Sequence, residues 1–105
     1  GNNSDDRRVI SLDGTNVTAG ILQIPREGRF ITYTGTTTID GLLQQGHGRD
    51  MITILTTAAA IFTDDKAGVG TAIMRLSAAY TPGANDTITL APNGNEWYEV
   101  SRSVN

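Results

Sequence analysis

Turn-forming residues recur about every 8 to 12 positions along this chain, which leaves no room for long helices and prescribes short extended segments. Twelve glycines, fifteen threonines and three prolines supply the punctuation. No apolar pattern at helical spacing persists beyond two turns. Alanine-rich residues 56–61 have the propensity for a helix, but Thr56, Thr57 and Thr63 around them favour extended backbone. The expected class is all-β, in the form of a small antiparallel β-sandwich or jelly-roll-like domain.

The first half divides at its turns. Residues 1–6 are polar and read as a disordered terminus or linker, and residues 7–105 as a single β-domain. Residues 8–12 form a first expected strand, stopped by Asp13-Gly14. Residues 17–24 are extended with a break at Gly20 and a stop at Pro25, and residues 30–34 are β-branched and aromatic. A further strand is expected over 36–40, followed by a loop or single helical turn over 42–48.

The second half is more regular. Residues 51–55 are apolar almost without interruption, as in a central strand buried on both faces. Asp64-Asp65-Lys66 is a charged turn, residues 72–76 the next strand, and Thr81-Pro82-Gly83 the break after it. Residues 87–90 alternate, with Ile88 and Leu90 on one face. Asn93-Gly94 is the strongest hairpin signal in the chain and joins that strand to Trp97-Tyr98-Glu99-Val100. Simple alternation would place Trp97, Glu99 and Ser101 on one face, opposite Tyr98, Val100 and Arg102.

Charge and composition exclude several classes of function. The net charge is −3 and the eight basic residues are scattered, so no cluster of Lys and Arg is available to displace counterions from nucleic acid. No cysteine is present, which rules out disulfides, thiolate metal sites and cysteine nucleophiles. No apolar run reaches the ~20 residues of a membrane helix and no signal-peptide pattern is present, so a soluble chain without membrane insertion is expected.

Catalytic and cofactor motifs fail one by one. Gly68-Val69-Gly70 lacks the third glycine of a dinucleotide loop and leads into a strand rather than a helix. Residues 64–68 lack the alternating oxygen ligands of a calcium loop. His47 is the only histidine, set between Gly46 and Gly48 in an expected flexible loop, and no serine has the Gly-x-Ser-x-Gly context of a nucleophile. Eleven acidic residues always supply some pair at glycosidase spacing, so Asp40, Asp50, Asp86, Glu96 and Glu99 are not nominated. No catalytic, metal-ligating or cofactor-binding residue is assigned, and no enzyme is expected. The sequons at Asn2, Asn16 and Asn85 bear on function only in a eukaryotic secretory setting, which nothing else suggests.

Leu, Ile, Val and Phe together number 24 of 105 residues, about 23 %, just above the ~20 % below which disorder is expected. So thin a core invites completion by a partner surface.

The order of motifs over residues 36–105 resembles the C-terminal module of bacteriophage tail-spike and appendage proteins, also found at the ends of pectate-lyase-like β-helix proteins. The resemblance rests on Gly46-x-Gly48-Arg49-x-x-Ile52-Thr53-Ile54 and on Ile73-x-Arg75-Leu76. It continues through Asn85-Asp86-Thr87-Ile88-Thr89-Leu90 and the distinctive Gly94-x-x-Trp97-Tyr98-Glu99-Val100-Ser101-Arg102-Ser103. Residues 1–35 have no counterpart in it.

The resemblance implies a β-rich module at the distal end of a trimeric β-helix, on an extracellular phage particle, capping the upstream β-helix of the parent protein and setting chain register. It would form an intertwined or axially packed homotrimer. Ile52, Ile54, Ile73, Ile88, Leu90 and Val100 are then the candidates for core or trimer-interface positions. An ion pair from Arg75 or Arg102 to Glu99 across chains would fix register if buried. The competing function is carbohydrate or host-receptor binding at the spike tip, with Trp97 or Tyr98 stacking on a bacterial surface polysaccharide.

Overall fold

A computed structural model describes residues 9–46, 50–94 and 96–104. Nine strands carry the fold: β1 (Val9–Leu12), β2 (Val17–Thr18), β3 (Ile21–Ile24), β4 (Phe30–Tyr33), β5 (Gly41–Gln44), β6 (Ile52–Thr56), β7 (Met74–Arg75), β8 (Asp86–Asn93) and β9 (Glu96–Ser103). Two single 3-10 turns, Gly14–Asn16 and Gly70–Ala72, are the only helical pieces among the described residues. The all-β class is therefore what the chain adopts.

Its architecture is solenoid-like. β1, β4 and β6 lie side by side and parallel, with Ile10, Ile31 and Ile54 in one row and Leu12, Tyr33 and Thr56 in another. On a second wall β3 and β5 are parallel, with Leu22 beside Leu42 and Ile24 beside Gln44. A third contact stacks Ile39 on Phe62, again parallel. Each circuit returns the chain beside its starting point after 20 to 23 residues, as Ile21 to Gly41 and Phe30 to Thr53 measure.

The antiparallel sandwich or jelly-roll is thus corrected to stacked parallel coils. A half-buried strand alternates in the same way whether its neighbour is a hairpin partner or the strand one circuit later. Turn residues read as hairpin loops are mostly corners between walls. Asp13 makes the first: its side chain accepts from Thr15 N at 2.8 Å while Asn16 Oδ1 accepts from Asp13 N at 2.9 Å.

Direction changes at the end of the stack. β8 pairs antiparallel with β6, Ile88 opposite Ile54 and Leu90 opposite Ile52, and β9 folds back antiparallel on β8. β7 runs parallel to β9, giving a six-stranded sheet in the order β1-β4-β6-β8-β9-β7. The smaller sheet is β2-β3-β5, where β2 returns antiparallel on β3.

Several local expectations are revised. Residues 36–40 contribute one bridge at Ile39, and the strand lies instead at Gly41–Gln44, where a loop or helical turn was expected. β6 is central but alternates: Ile52, Ile54 and Thr56 are buried, Thr53 and Leu55 half-buried. The strand expected over 72–76 shrinks to Met74–Arg75 behind a 3-10 turn. The β8–β9 hairpin forms as the sequence indicates, with Asn93 paired to Glu96, so the loop begins at Gly94 (φ +64°) rather than at Asn93.

The interior of the coils is mainly Ile and Leu, with a chain of aromatic rings running through it. Tyr33 meets Phe62 edge to face at 6.4 Å, and Phe62 meets Tyr80 at 5.6 Å. Each buried polar tip finds a backbone carbonyl: Tyr33 Oη donates to Thr37 O and Tyr80 Oη to Thr87 O, both at 2.9 Å. Gln44, buried beside Ile24, donates to Gly28 O at 3.0 Å and accepts from Asp50 N at 2.9 Å. That amide ties one coil's corner to the next and satisfies groups that water cannot reach.

Candidate functional site

The surface that differs most from an ordinary solvated one is the outer face of the six-stranded sheet. Registers place Phe30, Thr53, Thr89 and Ser101 in one row across β4, β6, β8 and β9. The next row, from β1 to β9, is Ser11, Thr32, Leu55, Thr87 and Ser103. On the other side Ala91 lies beside Tyr98, and Met51, just before β6, shares the outward parity of Thr53. Thr53 Oγ1 and Thr89 Oγ1 are hydrogen-bonded at 2.9 Å, so those two hydroxyls already satisfy each other. Apart from Arg75 at the β7 end of the Tyr98 row, no side chain in these rows is charged at neutral pH. Tyr98 is held still further from ionising because Glu96 accepts its hydroxyl proton.

Charges gather at the rim. Arg29 pairs with Asp50 at 2.7 Å, next to Phe30 and Met51 at one end. Arg75, which closes the Tyr98 row on β7, bridges Asp65 and Glu96 and holds the Glu96 carboxyl below its ordinary range. These pairs are largely exposed and contribute little stability individually.

A bulge in β9 decides which side chains reach the outside. Thr89 pairs with Ser101 but Leu90 pairs with Glu99, leaving Val100 as an extra residue. Val100 is 55 % exposed. The extra residue turns Arg102 to the same side as Glu99, so the expected split of Trp97, Glu99 and Ser101 against Tyr98, Val100 and Arg102 does not hold. Arg102 Nε meets Glu99 Oε2 at 2.7 Å and Arg102 Nη2 meets Glu99 Oε1 at 2.9 Å, within one chain. The guanidinium also lies 4.8 Å from the Tyr80 ring centroid and donates to Ala78 O. This pairing, with help from Ser77 N, depresses the Glu99 carboxyl to about 2.

The residues singled out from sequence fall into four groups. Ile52, Ile54, Ile88 and Leu90 are at 0–1 % exposure inside the chain's own core, which withdraws them from any surface between copies. Ile73 is half-buried, and its carbonyl accepts from Trp97 N at 3.0 Å. Trp97 is fully buried, its indole N–H donating to Leu42 O, so it is corrected from a sugar-stacking candidate to a core residue. Tyr98 and Val100 remain on the surface, at 41 % and 55 % exposure. His47, like Gly48 and Arg49, lies outside the described residues.

Sequence reasoning missed the uncharged face as a unit, although its signal was present. Threonine and serine at alternate positions of residues 87–89 and 101–103 mark a run of outward positions without charge. Among the described residues no group of three His, Asp or Glu side chains is placed to hold a metal ion. No helix among them is long and apolar enough to cross a membrane.

Comparison with protein-family models, with curated proteins and with solved structures yields no match to this chain.

Proposed function

We propose that this chain is the terminal segment of a phage tail spike or related extracellular fibre, closing a β-solenoid and holding three copies in register. The observation that carries this reading is the reversal at β8: a stack of parallel strands is ended by an antiparallel hairpin laid along β6. Parallel stacks expose unsatisfied edges and an open apolar end, which demand a cap. At the other end, among the described residues, β1 has no strand on its outer edge, while β2 covers the corresponding edge of β3. An upstream coil of the parent protein would therefore continue the large sheet by pairing in parallel with Val9–Leu12.

Light scattering coupled to size exclusion over a dilution series tests the trimeric part. A mass near three chains at the concentrated end is the expected result, and a folded monomer at every concentration overturns it.

A second reading, binding of a bacterial surface polysaccharide, is favoured by Tyr98, the one exposed aromatic ring on β9, with serine and threonine hydroxyls across the same face. Its test is titration of polysaccharide into wild type and Tyr98→Ala. Loss of affinity in the variant supports it, and equal affinity removes it.

A further inference from the structure

On the trimeric reading above, we propose that copies of this chain pack on one another through the outer face of the six-stranded sheet, centred on Thr89, Tyr98 and Ser101. Interface centres are depleted of charge and enriched in Tyr, Phe and Met, with polar groups at the rim. This face has that anatomy, with Phe30, Met51 and Tyr98 exposed on an uncharged surface and the Arg29–Asp50 and Arg75–Glu96 pairs at its border.

Charge also selects the occupant. Each copy carries −3, so copies repel weakly at a distance, and only a surface free of charge brings them together without juxtaposing like charges. A cationic or anionic partner would find no complementary group here. A glycan calls for a concave site with planar polar side chains, whereas this face is sheet surface with hydroxyls, two of which are already paired. Sheet-on-sheet packing at about 10 Å suits short Thr, Ser and Ala side chains interleaved with a few large ones.

Six strands at ~4.8 Å and about five residues at ~3.3 Å give a footprint of roughly 450 Å². That is well short of the ~800 Å² each partner loses in a standard interface. Association of the isolated chain is therefore weak and falls away on dilution. In a full-length fibre an upstream coil holds the copies together at high effective concentration, which makes a weak face sufficient.

Because the chain contains no cysteine, a single introduced thiol reports proximity between copies. Ser101→Cys lies within the proposed face, and Leu43→Cys on the exposed side of β5 in the other sheet serves as the control. With a short bis-maleimide, Ser101→Cys is expected to cross-link to a covalent dimer at least tenfold faster than Leu43→Cys, at concentrations where wild type scatters as an oligomer. Equal rates in an oligomeric sample overturn the face while leaving the trimer standing. A wild type that stays monomeric overturns both. Second, Ser101→Arg is expected to raise the dissociation constant at least tenfold with an unchanged melting temperature. An unchanged constant in the folded variant counts against the face. Polysaccharide that binds the monomer and is lost in Ser101→Arg assigns the face to a glycan and overturns the proposal.

Discussion

Trp97 donates its indole N–H to the carbonyl of Leu42 at 3.0 Å, across 55 positions of sequence. The bond joins the closing hairpin to β5, so the last strand is anchored in the smaller sheet as well as paired in the larger one. Trp97→Ala should cost about 3–5 kcal/mol through the cavity it leaves. Trp97→Phe keeps most of the volume but strands a buried carbonyl, at about 1–3 kcal/mol. Urea unfolding of both variants measures this, and a loss below about 1 kcal/mol for the alanine variant would contradict a core role.

Glu99 and Arg102 give stability a defined dependence on pH. The Glu99 carboxyl sits at about 2, against an ordinary value near 4.5, because Arg102 and Ser77 hydrogen-bond its charged form. A group whose folded value is depressed stabilises the native state above its unfolded value and loses that contribution as pH falls toward its folded value. Wild type should therefore melt higher than Glu99→Gln at pH 6, and the two curves should converge between about pH 4.5 and 2. A constant gap over that interval would assign the effect to packing.

Ala19 has φ +52° and Gly20 φ +83° in the two-residue loop between Thr18 and Ile21. Both signs are those of a type I′ turn, which alanine tolerates poorly and asparagine well. Ala19→Asn is expected to stabilise the protein by about 0.5–1 kcal/mol, read from the midpoint of chemical denaturation.

Gly41 is held by proximity rather than by dihedral angle. A Cβ there would lie 2.7 Å from Ala72 O and 2.9 Å from Ala72 Cβ, both on the 3-10 turn packed against β5. Backbone cannot yield as a side-chain tip can, so Gly41→Ala should cost about 1–3 kcal/mol. Gly68→Ala, where a Cβ meets nothing within 4 Å, separates crowding from turn strain, since its φ is +93°. Gly41→Ala should be rescued in part by Ala72→Gly, and Gly68→Ala should not.

How much of this was legible in the sequence depends on which interactions are local. The β8–β9 hairpin was, because alternation on both sides of Asn93-Gly94 fixes pairing within twenty residues. The coil stack was not: Ile10-x-Leu12, Ile31-x-Tyr33 and Ile54-x-Thr56 repeat in register, but the corners between them differ in length and hide the period. Gly41–Gln44 was missed because its extended state is imposed by β3 alongside, one circuit earlier, and by no property of Leu42-Leu43-Gln44 themselves. Of the candidate surface, Tyr98 is singled out by the sequence, whereas Val100, read there as a core or interface position, lies exposed in the chain, and Trp97 was misplaced toward the surface. An aromatic pair on one strand does not reveal which ring faces inward until the register is known.

The extra residue at Val100 divides β9 into two reading phases. Trp97 and Glu99 face inward on the odd count, and Arg102 on the even. Were Val100 instead taken into the ladder opposite Thr89, each later residue would move on by one partner. Ser101 would then oppose Ile88 on the inner side, and Arg102 would oppose Thr87 on the uncharged face. One residue without a ladder partner thus sets which of the strand's two messages, the inward clamp or the outward neutral surface, each later side chain delivers.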